Sequence, residues 1–203
     1  MIYIARSMGP RFKQSRRFGV NIFGNPNELK RGPKKDGRKK ESEYAKQLNE
    51  KQKLKLYYGV SEKQMQNCMR KAKKQAQRSD MILGDILVTT LERRLDNLTY
   101  RLGFARSLRQ ARQMVVHGHI AVNGKKVDIP SFVCSVGDEI SVRSKAKEFE
   151  LIKANMEATS FVVPYLQLNK ENLQGFLTTY PQRADVPVEV VESLVVEFYA
   201  KKL

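Results

Sequence analysis

The sequence predicts an α+β protein: a basic arm, a run of helices, then a small unit of helix and β-hairpin. Three observations carry that reading. Leu83, Leu87, Leu91, Leu95, Leu98 and Leu102 recur at helical spacing, so one face of a helix running from Met81 to Gly103 is suited to a core. Asn123-Gly124 joins the apolar run Ile120, Ala121, Val122 to Lys125, Lys126, Val127, and a type I′ hairpin turn needs the two positive φ angles this pair accepts most readily. The first 40 residues hold 12 Lys/Arg against 2 Asp/Glu, with Gly24, Pro26, Gly32, Pro33 and Gly37 among them, a composition that reads as an arm and not a core.

At 203 residues the chain has room for one large or two small domains. Its formal charge of +17 is uneven: residues 1–80 carry +15, residues 81–155 carry +4 and residues 156–203 carry −2. That asymmetry is the electrostatic footprint of a polyanion binder. Nucleic acid is the first candidate; an acidic membrane surface or an acidic protein is the alternative. No stretch reaches the ~18–20 apolar residues of a membrane helix. The opening MIYIA is shorter than the ~7–15-residue apolar core of a secretory signal. Cys68 and Cys134 stand far apart, which suggests no disulfide framework and fits a reducing cytoplasm.

In chain order, residues 1–42 form the arm. RFKQSRR and KRGPKKDGRKK are its basic blocks. Such a segment is either a solvated tail or an arm that orders on a phosphate backbone. Phe12, Phe18 and Phe23 among the charges favour the second, because aromatic rings stack on bases or dock on protein. Residues 43–60 read as a helix capped by Ser42 and stopped by Gly59. Ser61 and Gln64 then have the spacing of a capping box. Met65, Cys68, Met69, Ala72 and Ala76 follow as an apolar face, which makes Cys68 a small core residue. On the leucine helix, Arg93, Arg94 and Arg101 lie on other faces, available to a ligand.

Ser107 and Gln110 have capping-box spacing again, opening a helix from Leu108 to His117. Leu108, Ala111 and Val115 give its core face, while Arg109, Arg112 and Gln113 point elsewhere and Arg106 just precedes it. Free N–H groups and arginines at a helix start favour an anion. Gly118 stops the helix. The hairpin then pairs Val122 with Lys125 and Ile120 with Val127, and GDEISV, Gly137 to Val142, supplies a third strand. Both histidines of the chain, His117 and His119, fall at the helix-to-strand corner. H-x-H without further Cys or His partners is a poor zinc set, and no nucleophile–base–acid constellation is nearby. The corner is either structural punctuation or an RNA-facing surface.

ERRLDNLTYRLGFARSLRQARQMVVHGHIAVNGKKVDIPSF resembles the RNA-binding module named after protein four of the small ribosomal subunit. MGPRFKQSRRFG, SEYAKQLNEKQKLKLYYGVSEKQ and SLVVEFYAKK resemble the N-terminal arm, first helical domain and C-terminus of that ribosomal family, so nearly the whole chain is covered. The resemblance implies an all-helical domain interrupted by a small α/β RNA-binding domain. In that domain two helices pack on a short antiparallel sheet with a β-hairpin, and an extended basic arm precedes the whole. On this chain the arm is 1–42, the helical domain 43–92 with 186–203 returning to it, and the α/β domain 93–185, with the RNA-binding module at about 93–155. Alternation at Leu194, Val196 and Phe198 reads as a strand, whereas the family implies a short helix.

The resemblance further implies a primary binder of small-subunit ribosomal RNA. Such a protein recognises a helical junction of the 5′ domain, nucleates assembly of the subunit body and influences translational accuracy. Its implied partners are small-subunit ribosomal proteins three and five, with messenger RNA at the entry path and no membrane. The implied compartment is the cytoplasm, with an organellar ribosome as the alternative. No cofactor is implied. Zinc-binding members carry cysteines in the arm, and this arm has none. The side chains assigned to RNA are Arg11, Lys13, Arg16 and Arg17 in the arm and Lys51, Lys53 and Lys55 in the helical domain. In the module they are Arg106, Arg109, Arg112, Gln113, His117, Lys125 and Lys126. Three rivals fit less well. A pseudouridine synthase needs a separate catalytic domain, a heat-shock RNA binder lacks the arm and helical domain, and a membrane-surface protein needs a helix with large apolar residues opposite its charges.

Overall fold

The computed structural model describes residues 10–24, 27–30, 32, 41–159 and 162–202, and for Arg11 the backbone only. Most of KRGPKKDGRKK lies outside the described residues. Helix α1 is Arg11–Phe18, α2 Glu43–Tyr57, α3 Glu62–Ala76, α4 Leu83–Glu92, α5 Leu95–Arg101 and α6 Leu108–Val116. Strands β1, Ile120–Val122, β2, Lys125–Lys126, and β3, Glu139–Val142, follow. Then come α7, Ser144–Lys147, α8, Glu150–Ala158, β4, Leu166–Asn169, β5, Gln174–Leu177, and α9, Glu192–Ala200. One compact unit runs to Leu87 and resumes at Val188; the other is Val88–Pro187.

The first unit is helical. Ser42 accepts the Ala45 N–H at the start of α2, and Ser61 with Gln64 forms a reciprocal capping box at the start of α3. Gly59 takes the left-handed conformation that separates the two helices. α9 lies along α2. Gln47 Nε2 donates to Glu197 at 2.8 Å, and the Lys51 ammonium sits 4.5 Å from the centre of the Phe198 ring. The strand-like alternation of ESLVVEFYA is overridden: Val195, Phe198 and Tyr199 are the buried residues, a helical i, i+3, i+4 set that packs as one stripe. Within the segment read as an arm, the structure differs from an arm without a core. α1 ends at Gly19 with φ +68°, and Ser15, Ile22 and Glu28 are buried. The Ser15 hydroxyl donates to Glu28, and Arg17 reaches Asn49 on α2 at 3.2 Å. Cys68 is only half-buried.

Glu62 gathers three donors in this unit: Lys51 at 3.1 Å, Lys55 at 3.2 Å and the Tyr199 hydroxyl at 2.9 Å. Burial pushes the Glu62 carboxyl up, but the hydrogen bonds from Lys51, Tyr199 and Lys55 outweigh it and leave it below the ordinary carboxylate range. Burial and the Glu62 partner push the Tyr199 hydroxyl up. A carboxyl lowered by folding stabilises the fold above its unfolded pKa, and the contribution disappears as pH falls through the folded value. Acid titration of unfolding will therefore show a shallower acid-side loss of stability in Glu62→Gln than in the wild-type chain.

In the second unit the leucine helix is corrected: it breaks at Arg93-Arg94. Arg94 is extended (φ −65°, ψ 139°) and bridges to Val133. The segment around Phe132 captures the freed backbone groups: Leu95 N–H donates to Phe132 at 2.8 Å, Asp96 N–H to Pro130 at 3.2 Å, and Cys134 N–H to Arg93 at 2.9 Å. Tertiary pairing thus replaces the helical ladder while the apolar rhythm survives, since Leu91, Leu95, Leu98 and Leu102 are all fully buried.

The sheet is antiparallel throughout, with strand order β2-β1-β3-β5-β4. The first hairpin has the expected register, Val122 opposite Lys125, with Asn123 and Gly124 at φ +50° and +73°. The β4–β5 hairpin is an addition that the sequence reading lacks. Gly175 in β5 lets the sheet approach α5: a Cβ there would stand 2.3 Å from Leu102 Cδ2. Gly175→Ala will therefore cost about 1–3 kcal/mol by overpacking, read as a lower midpoint in chemical denaturation.

Candidate nucleic-acid interface

The side chains of α6 divide into two sets. Ser107 caps the helix, its hydroxyl accepting the Gln110 N–H at 3.3 Å. The reciprocal bond is shifted from the expected box, because Gln110 Oε1 accepts the N–H of Arg106 at 2.9 Å and not that of Ser107. This pins the residue before the cap. Ala111, Met114 and Val115 are buried. Arg106, Arg109, Gln113 and His117 are exposed, and their spacing puts the last three on one helical stripe that Arg106 extends.

Arg112 is corrected. It lies on the inner side, where Nε and Nη2 both reach Asp96 Oδ2, at 3.0 and 2.6 Å. Asp96 is wholly buried and also accepts Arg94 at 3.1 and 3.0 Å. Arg101 clamps the equally buried Glu92 at 3.2 and 2.8 Å, and the Tyr165 hydroxyl donates to Glu92 at 2.9 Å. Arg93 donates to the Cys134 carbonyl at 2.7 Å and lies over the Tyr180 ring. The expectation that Arg93, Arg94 and Arg101 are available to a ligand is therefore overturned. A buried carboxylate needs cationic forks, and Arg94, Arg101 and Arg112 supply them, while Arg93 is held by a main-chain carbonyl.

Lys125 and Lys126 are exposed on the hairpin, with Lys126 3.4 Å from Asp128. The Lys126 stem folds over the helix-to-strand corner: a Cβ on Gly118 would meet its Cε at 2.4 Å. Arg143, which the sequence reading missed, joins this corner from the end of β3. Its Nη1 donates to the Gly118 carbonyl at 3.0 Å and its N–H to the His119 carbonyl at 2.9 Å. A cation directly after the last residue of a predicted strand was the available signal. His117 is exposed, and His119 is half-buried with its imidazole pushed below the usual range by burial, then by His117 and Arg143.

The predicted residues of the first unit fare differently. Lys13 and Arg17 are exposed and Arg16 half-buried, while the Arg11 side chain lies outside the described residues. Lys51 is corrected: it is 5% exposed, held between Glu62 and the Phe198 ring. Lys53 pairs with Glu50 one turn earlier on α2 at 2.7 Å, and Lys55 reaches Glu62 at the start of α3 at 3.2 Å. The structure thus brings Arg106, Arg109, Gln113 and His117 together on one stripe and keeps Lys51 out of reach. The Cys134 thiol is pushed up to about 12 by burial and stays protonated. Among the described residues no group of three His, Cys, Asp or Glu stands ready for a metal, and no helix is long and apolar enough to cross a membrane.

Two family models match the chain: "Ribosomal protein S4/S9 N-terminal domain" over residues 6–92 and "S4 domain" over residues 93–140. The chain is 51% identical to the small ribosomal subunit protein uS4B of Clostridium acetobutylicum over 198 residues, covering 98% of this chain and 100% of that protein. It is 50% identical to uS4 of Finegoldia magna and 45% identical to uS4 of a Geobacillus strain, with the same coverage. The chain belongs to the small ribosomal subunit protein uS4 family. That is a family of ribosomal structural proteins, not of enzymes, and it carries an S4 RNA-binding domain. The S4 match spans the helix break, α6 and the hairpin, so the exposed stripe lies inside the RNA-binding module of a uS4 family member.

The buried carboxylate is the point at which this module is most vulnerable. Asp96→Ala leaves Arg94 buried and Arg112 half-buried without their shared anion, and unfolding free energy will fall by about 3–5 kcal/mol, measured by denaturant titration.

Proposed function

We propose that this chain is a structural, RNA-binding constituent of the small ribosomal subunit, acting in the ribosome of a bacterial cytoplasm. It binds a helical junction in the 5′ domain of small-subunit ribosomal RNA as a primary protein and nucleates assembly of the subunit body. It contacts ribosomal proteins three and five, contributes to translational accuracy and faces messenger RNA at the entry path. The observation that carries the RNA reading is the exposed stripe Arg106, Arg109, Gln113 and His117 beside the lysine hairpin, inside a module of the uS4 family. A-form RNA hides its major-groove edges, so recognition runs through backbone geometry, 2′-hydroxyls and junction shape. Arg106, Arg109, Lys125 and Lys126 neutralise phosphates while Gln113 and His117 offer hydrogen bonds. Lys13, Arg16 and Arg17 supply a second basic surface, and Arg11 is assigned to RNA from the sequence; Lys53 and Lys55 contribute only what their carboxylate partners leave.

Hydroxyl-radical footprinting of the purified chain on full-length small-subunit ribosomal RNA, at two salt concentrations, tests the reading. Protection confined to one 5′-domain junction and sensitive to salt is expected; protection no stronger than on bulk transfer RNA rejects it. Arg106→Glu with Arg109→Glu will weaken binding at least tenfold and flatten the log-affinity against log-salt slope by about one unit per lost phosphate contact, with the fold intact by circular dichroism.

A further inference from the structure

The corner between α6 and β1 carries a feature that phosphate binding does not use. Phe149, the residue before α8, leaves 46% of its surface exposed although the core of its unit is close at hand. Its ring meets His119 edge-to-face, with centroids 5.4 Å apart at 78°. His119 in turn lies 6.0 Å from the exposed His117 at 57°. Three rings are therefore linked pairwise through His119 at the end of the α6 stripe.

We infer that the Phe149 ring, packed edge-to-face against His119 with His117 beside it, forms a stacking platform for one unpaired nucleobase of the bound RNA. This rests on the RNA-binding reading above and adds to it a ligand group, a base and not a phosphate, together with two residues, His119 and Phe149. The platform is preorganised. Arg143 bonds both the Gly118 and the His119 carbonyls, which fixes the backbone that carries the histidines. Aromatic faces accept any base without reading its sequence, and an exposed ring beside cations is the usual arrangement in single-strand recognition. Charge is sorted to match. Lys126 and Arg143 lie on the Gly118 side of the rings, where a sugar-phosphate backbone is attracted. Glu148 and Glu150 adjoin Phe149 and balance Lys147 and Lys153, so that end lacks the net positive charge of the Gly118 side and suits the uncharged base. The depressed basicity of His119 keeps its ring neutral near pH 7, so no charge is desolvated when a base covers it.

The chain contains no tryptophan, so Phe149→Trp places one fluorophore in the platform. Titrated with small-subunit ribosomal RNA, this variant will bind like the wild type and lose more than half its emission at saturation, because a stacked base quenches indole. Phe149→Leu keeps apolar bulk and removes the ring; its dissociation constant will rise about tenfold with an unchanged salt slope, since no phosphate contact is lost. Unquenched emission at RNA saturation, or wild-type affinity in Phe149→Leu, overturns the platform and leaves RNA binding standing. Failure of the wild-type chain to bind this RNA above its binding to transfer RNA overturns the proposed function, and the platform with it.

Discussion

Asp96 is a carboxylate with no water contact, placed where α5 meets α6, and it accepts hydrogen bonds from two arginine forks and from the Asn97 N–H. Such an anion costs several kcal/mol in a low-dielectric interior unless cations with directed N–H groups surround it. Meeting that demand sets much of the α/β unit. Arg94 turns inward at the helix break, and Arg112 must face in from α6. Because α-helical positions advance by about 100°, burying Ala111, Met114 and Val115 turns Arg109 and Gln113 outward and leaves Arg112 at the edge between the two faces, within reach of Asp96. The apolar face thus sets the exposed stripe, and the buried ion cluster takes the arginine at its edge. Glu92 repeats the device one turn earlier, tying Arg101, Asn97 and Tyr165 to the end of α4.

The two units spend their basic residues differently. In the helical unit Glu62 collects Lys51 and Lys55 and Glu50 takes Lys53 within α2, so lysines that swell the formal charge are paired, two of them holding α2 to α3. In the α/β unit arginines with two-pronged geometry serve the interior, and the outward residues at the hairpin are lysines, whose compact ammonium suits a hydrated phosphate. Formal charge counts what is written in the sequence; the field a polyanion meets is what remains after internal pairing.

Local chemistry was legible wherever it acts over a few residues. The capping box at Ser61, the Asn123-Gly124 turn with its register and the stops at Gly59 and Gly118 appear as read, because each is settled by φ/ψ limits or by one nearby side chain. What long-range pairing decides was hidden. The break at Arg93-Arg94 keeps leucine spacing almost continuous, and only the incoming Phe132 segment opens it. Arg112 and Lys51 look like surface cations until Asp96 and Glu62 are brought beside them. β4 and β5 were invisible for a related reason: each is four residues long, and Leu173, in a positive-φ conformation, stands where a glycine would have signalled the turn.

The pairing of α2 with α9 has a consequence for a chain made one residue at a time. Gln47 and Glu197 are 150 positions apart, and all of Val88–Pro187 lies between the two helices. On an elongating polypeptide the inserted unit is complete before α9 leaves the ribosome. Until then Gln47 and Lys51 of the helical unit wait for Glu197 and the Phe198 ring, and Glu62 waits for the Tyr199 hydroxyl. Synthesis order therefore makes the inserted unit the first finished fold and the helical unit the last, though its sequence begins earlier. A nascent chain stalled before Val188 would hold its α/β unit whole and its helical unit without the segment that closes it.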